Sequence, residues 1–203
     1  DHSVGADHEQ AATWYDRLFQ GVWPASQGKL TYSVYARLIE RLYEDTNTLL
    51  LGYFTISAPT LAIAIADDNK TLLLQIWLIL LPIAAYRIYS CKKYCERPTL
   101  LKYNYARRDE ARYFVGTLTV VLAISVILTT INFTSSEQSR FIMAIVCVGY
   151  MTGIMARNAM SPRLVFVLSA IIAAPTAYGL ISIHNSLGYW TAALVIGLLS
   201  VAL

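Results

Sequence analysis

Charged residues are scarce in this sequence. Asp, Glu, Lys and Arg make up 14% of its 203 residues, against about 25% in an average soluble domain. Residues Leu164 to Leu203 contain none of the four. With 56% hydrophobic residues and a mean hydropathy of +0.48, the chain has more apolar surface than a soluble fold of this size can bury. This composition excludes an ordinary cytosolic enzyme, a disordered chain and a nucleic-acid-binding module.

Side chains that bind metals or haem are also rare. The histidines are His2, His8 and His184, and none lies within a hydrophobic segment, which excludes a haem held between two histidines inside a membrane. Three cysteines are too few for a disulfide framework. Cys91 and Cys95 would share a helical face, but no histidine or second cysteine pair is near them. We therefore expect reduced thiols and no zinc site.

Catalytic signatures are missing from these residues. The chain has no nucleophile elbow, no H-E-x-x-H and no Walker loop. Its hydrophobic segments contain no Asp or Glu, the groups that an intramembrane proton path uses. We find no enzyme in this chain and predict no cofactor for it, and the missing carboxylates argue against a proton-coupled transporter.

Six hydrophobic segments are each long enough to cross a membrane, which takes about 20 mostly apolar residues for about 30 Å of hydrocarbon. They are residues 49–66, 71–89, 113–133, 141–159, 164–183 and 187–203. We predict an all-α fold, a polytopic membrane bundle of six transmembrane helices. The division between the last two segments is the least distinct, since one long kinked hairpin would give the same count.

Lys and Arg are unevenly distributed between the short connections. The 86–113 loop has eight of them and the 157–163 link has two, while the opposite side has only Lys70 and Arg140. The positive-inside rule then puts the 86–113 loop and both termini in the cytoplasm. Within this loop we predict a helical extension of span two, a turn at Pro98 and a helix leading into span three. Candidate topology signals and contacts to anionic lipid are Arg87, Lys92, Lys93, Arg107, Arg108 and Arg112.

Residues 1–48 differ from the rest, because they contain no segment that could span. Apolar residues at helical spacing predict two amphipathic cytoplasmic helices, the second running into span one. Each could anchor at the membrane surface, pack on a partner or pair in a dimer. The chain begins with Asp and ends inside its last hydrophobic segment, so we expect it to be cut from a longer product at both ends.

A stripe of small residues ends the fourth span. Gly149 and Gly153 are followed at the same spacing by Arg157 and then by Asn158, with Pro162 and Arg163 beyond. Small residues at this spacing let another helix approach closely. The stripe is either a packing face that ends in a basic anchor, or a coupling point where motion of the bundle reaches cytoplasmic parts.

Mild polar residues lie within the spans near three prolines, Pro59, Pro82 and Pro175. Kinks at these positions could enclose a small ligand cavity, or the hydroxyls could simply satisfy backbone carbonyls and hold helices together. The candidate cavity residues are Thr55, Ser57, Thr60, Gln75, Thr176 and Tyr178.

Four features together carry a resemblance to a known family. They are the run 38–43 (Leu-Ile-Glu-Arg-Leu-Tyr) before span one, the basic loop opening with Tyr86-Arg87, the pair Glu110 and Tyr113 at the start of span three, and the span-four ending from Gly149 to Arg163. Over residues 36–203 the chain resembles the six-span membrane region that precedes GGDEF or GGDEF–EAL domains in proteobacterial cyclic-di-GMP signalling proteins. No GGDEF or EAL segment occurs in the chain itself.

The resemblance implies a sensor or input module of a dimeric diguanylate cyclase in the bacterial inner membrane. GTP and Mg²⁺ would enter only with a GGDEF domain after Leu203, and no nucleic acid is expected. The alternatives are an accessory subunit of a larger membrane complex and, less favoured, a small-solute transporter or channel. A helical linker and GGDEF motif beyond Leu203 would support the first hypothesis, and co-purification with partner subunits would support the second.

Overall fold

The computed structural model describes residue 37 and residues 39–43, 46–66, 70–98, 106–158 and 162–201. Within these residues the regular structure is entirely helical. Six helices follow one another: α1 (Thr46–Ala66), α2 (Lys70–Cys95), α3 (Ala106–Thr134), α4 (Glu137–Arg157), α5 (Pro162–Ile181) and α6 (Ser186–Val201). Residues 39–43, ahead of α1, are also helical. The predicted amphipathic helices of the N-terminal region otherwise lie outside the described residues.

Length and composition identify this fold as a membrane bundle. Helices α1 to α5 are each long and apolar enough to cross a membrane. Large apolar side chains also cover the outer surface, with Phe54, Ile145 and Leu194 between 69% and 73% exposed. A soluble protein rarely exposes such a surface. The chain is therefore a multi-pass helical membrane protein.

The sixth helix is shorter than the other five. Helix α6 has 16 residues, fewer than the about 20 that a straight crossing needs. It packs mainly on α5. A sixth complete span, predicted for residues 187–203, remains a prediction.

Two helices extend well beyond their apolar segments. Helix α2 continues to Cys95, a turn follows over residues 96–98, and α3 begins at Ala106. The predicted helical extensions on either side of Pro98 are confirmed. Lys, Arg and Tyr are compatible with helix in these extensions, because their long side chains keep polar ends in water while their apolar parts pack.

Helix α5 is at the centre of the bundle. It packs against α3, α4 and α6, while α1 packs against α2 and α4, and α2 also packs against α3. Consecutive helices α3 and α4 touch each other far less than each touches α5. The main core is aliphatic and includes Ile56, Leu73, Ile124, Cys147 and Ile172.

An asparagine joins α3 to α5 near the opposite end from the basic loop. The Nδ2 group of Asn132 donates to the carbonyl oxygen of Pro175 at 2.6 Å. Pro175 has no N–H, yet α5 continues through it, and the Thr176 hydroxyl donates to the Ile172 carbonyl at 2.8 Å. Because a proline removes the bond to the carbonyl four residues earlier, these two bonds strengthen α5 and its contact with α3 without replacing the missing one.

Candidate functional site: a buried tyrosine and arginine cluster

A second buried cluster lies at the end of the bundle where α2 ends and α3 begins. Because successive helices alternate in direction, this end also carries the last turn of α4 and the 39–43 segment before α1. The cluster is separate from the main core. We name as the Tyr43 cluster its three tyrosines together with three polar residues that contact them, namely Tyr43, Tyr94, Tyr113, Arg87, Asp109 and Arg157.

Tyr43 is the centre of this cluster and is only 2% exposed. Its ring stacks on the ring of Tyr94, with centroids 3.9 Å apart, and meets the Tyr113 ring edge-on at 5.3 Å. Its hydroxyl donates to the backbone carbonyl of Asp109 at 2.5 Å. Burial raises the pKa of the Tyr43 phenol, so the hydroxyl stays protonated as the donor of this bond.

Arg157 joins three parts of the chain. Its Nε group donates to the Tyr113 hydroxyl at 3.0 Å, and its Nη2 group donates to the carbonyl of Leu42 at 2.8 Å, 115 residues away in sequence. The Tyr113 hydroxyl in turn donates to Oδ1 of Asn158 at 3.2 Å. Asn158 ends α4, and its amide donates back to the Ile154 carbonyl at 3.0 Å. One side chain therefore ties the 39–43 segment to both α3 and α4.

Arg87 lies inside the bundle and is 3% exposed. Its guanidinium carbon is 4.2 Å from the centroid of the Tyr113 ring and 6.0 Å from that of Tyr43. Its Nη2 group donates to the Thr117 hydroxyl at 2.9 Å. A Cβ at Gly116 would lie 2.9 Å from Nη1 of Arg87, so the glycine leaves the room that the guanidinium occupies.

This placement corrects the interpretation of Arg87 as a topology signal in contact with lipid. The side chain turns toward α3 because two tyrosine faces and a hydroxyl are available there, and a cation over an aromatic face is stabilised electrostatically. The exposure of the other candidates is compatible with the predicted role of topology signals in contact with lipid. Lys92, Lys93, Arg108 and Arg112 are exposed, and the side chain of Arg107 lies outside the described residues.

Asp109 supplies a buried carboxylate beside Tyr43. Its side chain is 2% exposed and accepts from Nη1 of Arg97 at 2.9 Å and 3.2 Å, one distance to each oxygen. Arg112 lies farther away, at 3.7 Å. Because Asp109 is in the first turn of α3, its charge also interacts favourably with the positive end of that helix.

The small-residue stripe of α4 does not pack within the bundle. Gly149 and Gly153 are exposed, and a Cβ built on either meets nothing within 4 Å. Arg157, at the end of the stripe, turns inward instead and makes the bonds described above. Pro162 begins α5, and the side chains of Pro162 and Arg163 lie outside the described residues.

The candidate cavity residues do not all point to one place. Thr60 and Thr176 are buried, Thr55 and Ser57 are half-buried, and Gln75 and Tyr178 are exposed. The hydroxyls of Thr55, Thr60 and Thr176 each donate to the carbonyl four residues earlier in their own helix. These three hydroxyls therefore satisfy backbone carbonyls, which is one of the two roles predicted from the sequence. A ligand cavity among these residues stays a prediction.

Metal chemistry and similarity give no further assignment. Across the described ranges, no three His, Cys, Asp or Glu side chains are grouped closely enough to hold a metal ion. No protein-family model, curated protein or solved structure matches the chain. The resemblance to the membrane regions of cyclic-di-GMP proteins therefore stays a prediction.

Sequence reasoning missed most of the Tyr43 cluster. From the sequence, Tyr94 and Tyr113 are as compatible with an aromatic belt at the membrane interface as with a buried cluster. Asp109 lies among neighbouring residues of both charges, so it does not stand out. The available signal was a spacing: Arg87, Cys91 and Tyr94 recur at intervals that put them on one face of α2. Of the six packing or coupling candidates, Gly149, Gly153, Arg157, Asn158, Pro162 and Arg163, only Arg157 belongs to this cluster, and Asn158 contacts it through Tyr113.

Proposed function

We propose that the chain is a membrane-embedded input module that regulates a cytoplasmic output domain, and that the Tyr43 cluster transmits the signal. A change in the packing of the spans alters how the 39–43 segment is held, and that segment carries the change out of the membrane. The proposal needs no catalytic residue in this chain.

The observation that supports this most directly is the pair of hydrogen bonds that Arg157 donates, one to Tyr113 and one to Leu42. Hydrogen bonds of 2.8 Å and 3.0 Å weaken sharply when their atoms separate. Helix shifts of about 1–2 Å are common in signalling transitions. A shift of α4 against α3 of that size would force Arg157 to release one of the partners named above, and the 39–43 segment would then be held differently.

The finer features of the proposal rest on the sequence. The output we propose is synthesis of cyclic-di-GMP by a GGDEF domain, which the resemblance supports. The orientation of six spans with both ends in the cytoplasm is supported by the Lys and Arg distribution. The bacterial inner membrane is part of what the resemblance implies. A homodimer in contact with anionic lipid is part of the same proposal.

Cellular cyclic-di-GMP provides the test. The full-length gene product would be expressed in a bacterial host and the nucleotide measured by mass spectrometry. We expect its level to change on expression, and we expect Arg157→Lys to alter that effect by about fivefold or more, the usual range of coupling between sites. Lysine keeps the charge but cannot donate in two directions from a planar group. Lys93→Gln, which removes an exposed charge of α2, is the matched control and should behave as the wild type.

The outcomes separate the hypotheses, provided that all variants reach the membrane in equal amounts. No effect of the wild-type protein on cyclic-di-GMP would exclude the proposed output. Stable co-purification with other subunits in fixed proportion would then favour the accessory-subunit hypothesis. An effect that Arg157→Lys leaves unchanged would show that the cluster does not transmit the signal.

A further inference from the structure

Arg87 is a buried cation whose partners are all neutral. Its contacts are the Thr117 hydroxyl and the faces of Tyr113 and Tyr43. Among the residues that the structure describes, no carboxylate lies within ion-pair distance of it, and its Nε group is buried with no hydrogen-bond partner. A guanidinium has five N–H donors, and an unpaired buried charge is costly. Arg87 therefore has a donor to spare and no anionic acceptor among the described residues.

A second arginine contacts the same tyrosine. The Nε group of Arg157, at the end of α4, donates to the Tyr113 hydroxyl at 3.0 Å, while the guanidinium of Arg87 lies over the Tyr113 ring at 4.2 Å. Two guanidinium groups from two helices therefore meet at one tyrosine side chain, and both carry a full positive charge.

We infer that Arg87 and Arg157 form a binding site for a phosphate group, with the 39–43 segment as its cover. Guanidinium groups bind phosphate through two parallel N–H···O bonds, which gives both strength and geometry. The phosphate group belongs either to the headgroup of an anionic lipid or to a free phosphorylated molecule. The inference deepens the proposed function, on which its regulatory meaning rests, by naming the chemistry of the signal.

The cover follows from the contacts of the 39–43 segment. The Tyr43 ring lies over Arg87, and the Leu42 carbonyl accepts a hydrogen bond from the Nη2 group of Arg157. An oxyanion that binds both guanidinium groups competes with these contacts. It therefore shifts the equilibrium toward a state in which the segment is released, because it binds that state better.

Cys91 reports directly on this release. It is completely buried in the same apolar group as Ile39, Tyr43 and Tyr113. Release of the segment uncovers its thiol, and the rate of maleimide labelling then rises. Cys95 and Cys147 are the other free cysteines, so Cys95→Ser and Cys147→Ala together leave Cys91 as the single reporter.

The experiment uses the full chain in this background, reconstituted in nanodiscs, with two arms that distinguish the sources of phosphate. In one arm, inorganic phosphate is titrated into phosphatidylcholine nanodiscs at constant ionic strength. In the other arm, phosphatidylglycerol replaces part of the phosphatidylcholine. We expect at least one arm to accelerate labelling of Cys91 by about fivefold or more, the low end of coupling between two sites. A response to phosphate identifies a free ligand, and a response to phosphatidylglycerol alone identifies the headgroup.

Three variants test whether the labelling response depends on Arg87. Arg87→Gln should abolish it, and Arg87→Lys, which keeps the charge without the planar fork, should weaken it. Gly116→Ala should also weaken it, because the added methyl displaces the guanidinium, and it provides a test if Arg87→Gln fails to fold. Glu96→Gln removes an exposed charge from the turn that follows α2 and should respond as the wild type.

Two results would overturn the inference: labelling that neither arm accelerates, and an acceleration that persists in both Arg87→Lys and Gly116→Ala. Neither depends on an output domain, since the readout is a thiol in the membrane bundle. A failed labelling experiment beside an Arg157-dependent change in cyclic-di-GMP would reject the phosphate site and keep the proposed function. A phosphate response without any effect on cyclic-di-GMP would support the phosphate site and reject the proposed output.

Discussion

Asn132 of α3 lies in the space that any side chain at Gly179 of α5 would need. A Cβ at Gly179 would overlap the Asn132 amide, which is held there by its bond to the Pro175 carbonyl. The two helices approach each other closely at this point because one residue has no side chain and the other fills the gap. Small residues at helix contacts have this effect throughout membrane proteins.

Substitution of Gly179 should therefore destabilise the bundle. We expect Gly179→Ala to lower the free energy of unfolding by about 1–3 kcal/mol, the usual cost of overpacking a tight contact. The change can be measured by titrating the purified protein with SDS in mixed micelles. Gly153→Ala is the matched control and should have little effect, because a Cβ there meets nothing within 4 Å. Equal losses in the two variants would contradict the assigned contact.

The two arginines beside Asp109 should contribute very differently. Arg97 binds both carboxylate oxygens and is 28% exposed, whereas Arg112 lies 3.7 Å away and is 47% exposed. We expect Arg97→Ala to cost about 2 kcal/mol, because it leaves a buried carboxylate poorly compensated. Arg112→Ala should cost less than about 1 kcal/mol, as exposed pairs do. The same SDS titration compares them, and a larger loss in Arg112→Ala would refute the ranking.

The Tyr113 hydroxyl should matter independently of its ring. Tyr113→Phe keeps the face on which Arg87 lies but removes the bonds to Arg157 and Asn158. We expect a loss of about 1–3 kcal/mol, because the buried amide oxygen of Asn158 loses its donor and Arg157 loses one of its acceptors. Labelling of Cys91 should also become faster as the cluster loosens. Tyr178→Phe, at an exposed position, is the control, and an unchanged labelling rate in Tyr113→Phe would contradict the role of this hydroxyl.

Docking of the 39–43 segment should weaken in alkaline solution. Burial raises the pKa of the Tyr43 phenol, so the folded state holds this proton more tightly than the unfolded state does. The contribution is complete below the unfolded pKa, about 10, and is lost as the pH rises above that value through the folded pKa. Phenolate absorbance can follow this ionisation. Subtracting the titration curve of Tyr43→Phe from that of the wild type isolates the contribution of Tyr43. We expect this tyrosine to ionise above the ordinary pKa range of a phenol. An ordinary pKa in the difference curve would be inconsistent with burial.

The sequence was a good guide to the helices and a poor one to their faces. Long uncharged runs between Thr46 and Ile181 gave five helices close to their predicted bounds, because crossing a membrane leaves the backbone few alternatives. The rotation of each helix about its axis has no comparable signal. Lipid and protein interior are both apolar, so a residue such as Gly153 could face either one.

The candidate site was only partly predictable for a related reason. Arg157 and Asn158 stood out because their types are unusual at the end of a small-residue stripe. Arg87 was interpreted as a topology signal and not as a buried residue, because a basic residue at the end of a span is normally an interfacial anchor. Its burial depends on Gly116 and Tyr113, which come from a different helix and are brought to it only by the packing of α2 against α3.

The central position of α5 has a consequence for biogenesis. Helices α3 and α4 leave the ribosome before α5, yet each packs more extensively against α5 than against any other helix. Insertion into the bilayer can proceed helix by helix, but the final assembly of these helices waits until α5 has been synthesised. During that interval Asn132 and the faces of α3 and α4 that pack on α5 are exposed to lipid or a chaperone. A chain that stops after α4 would be inserted without its central helix, which makes it a natural target for membrane proteases.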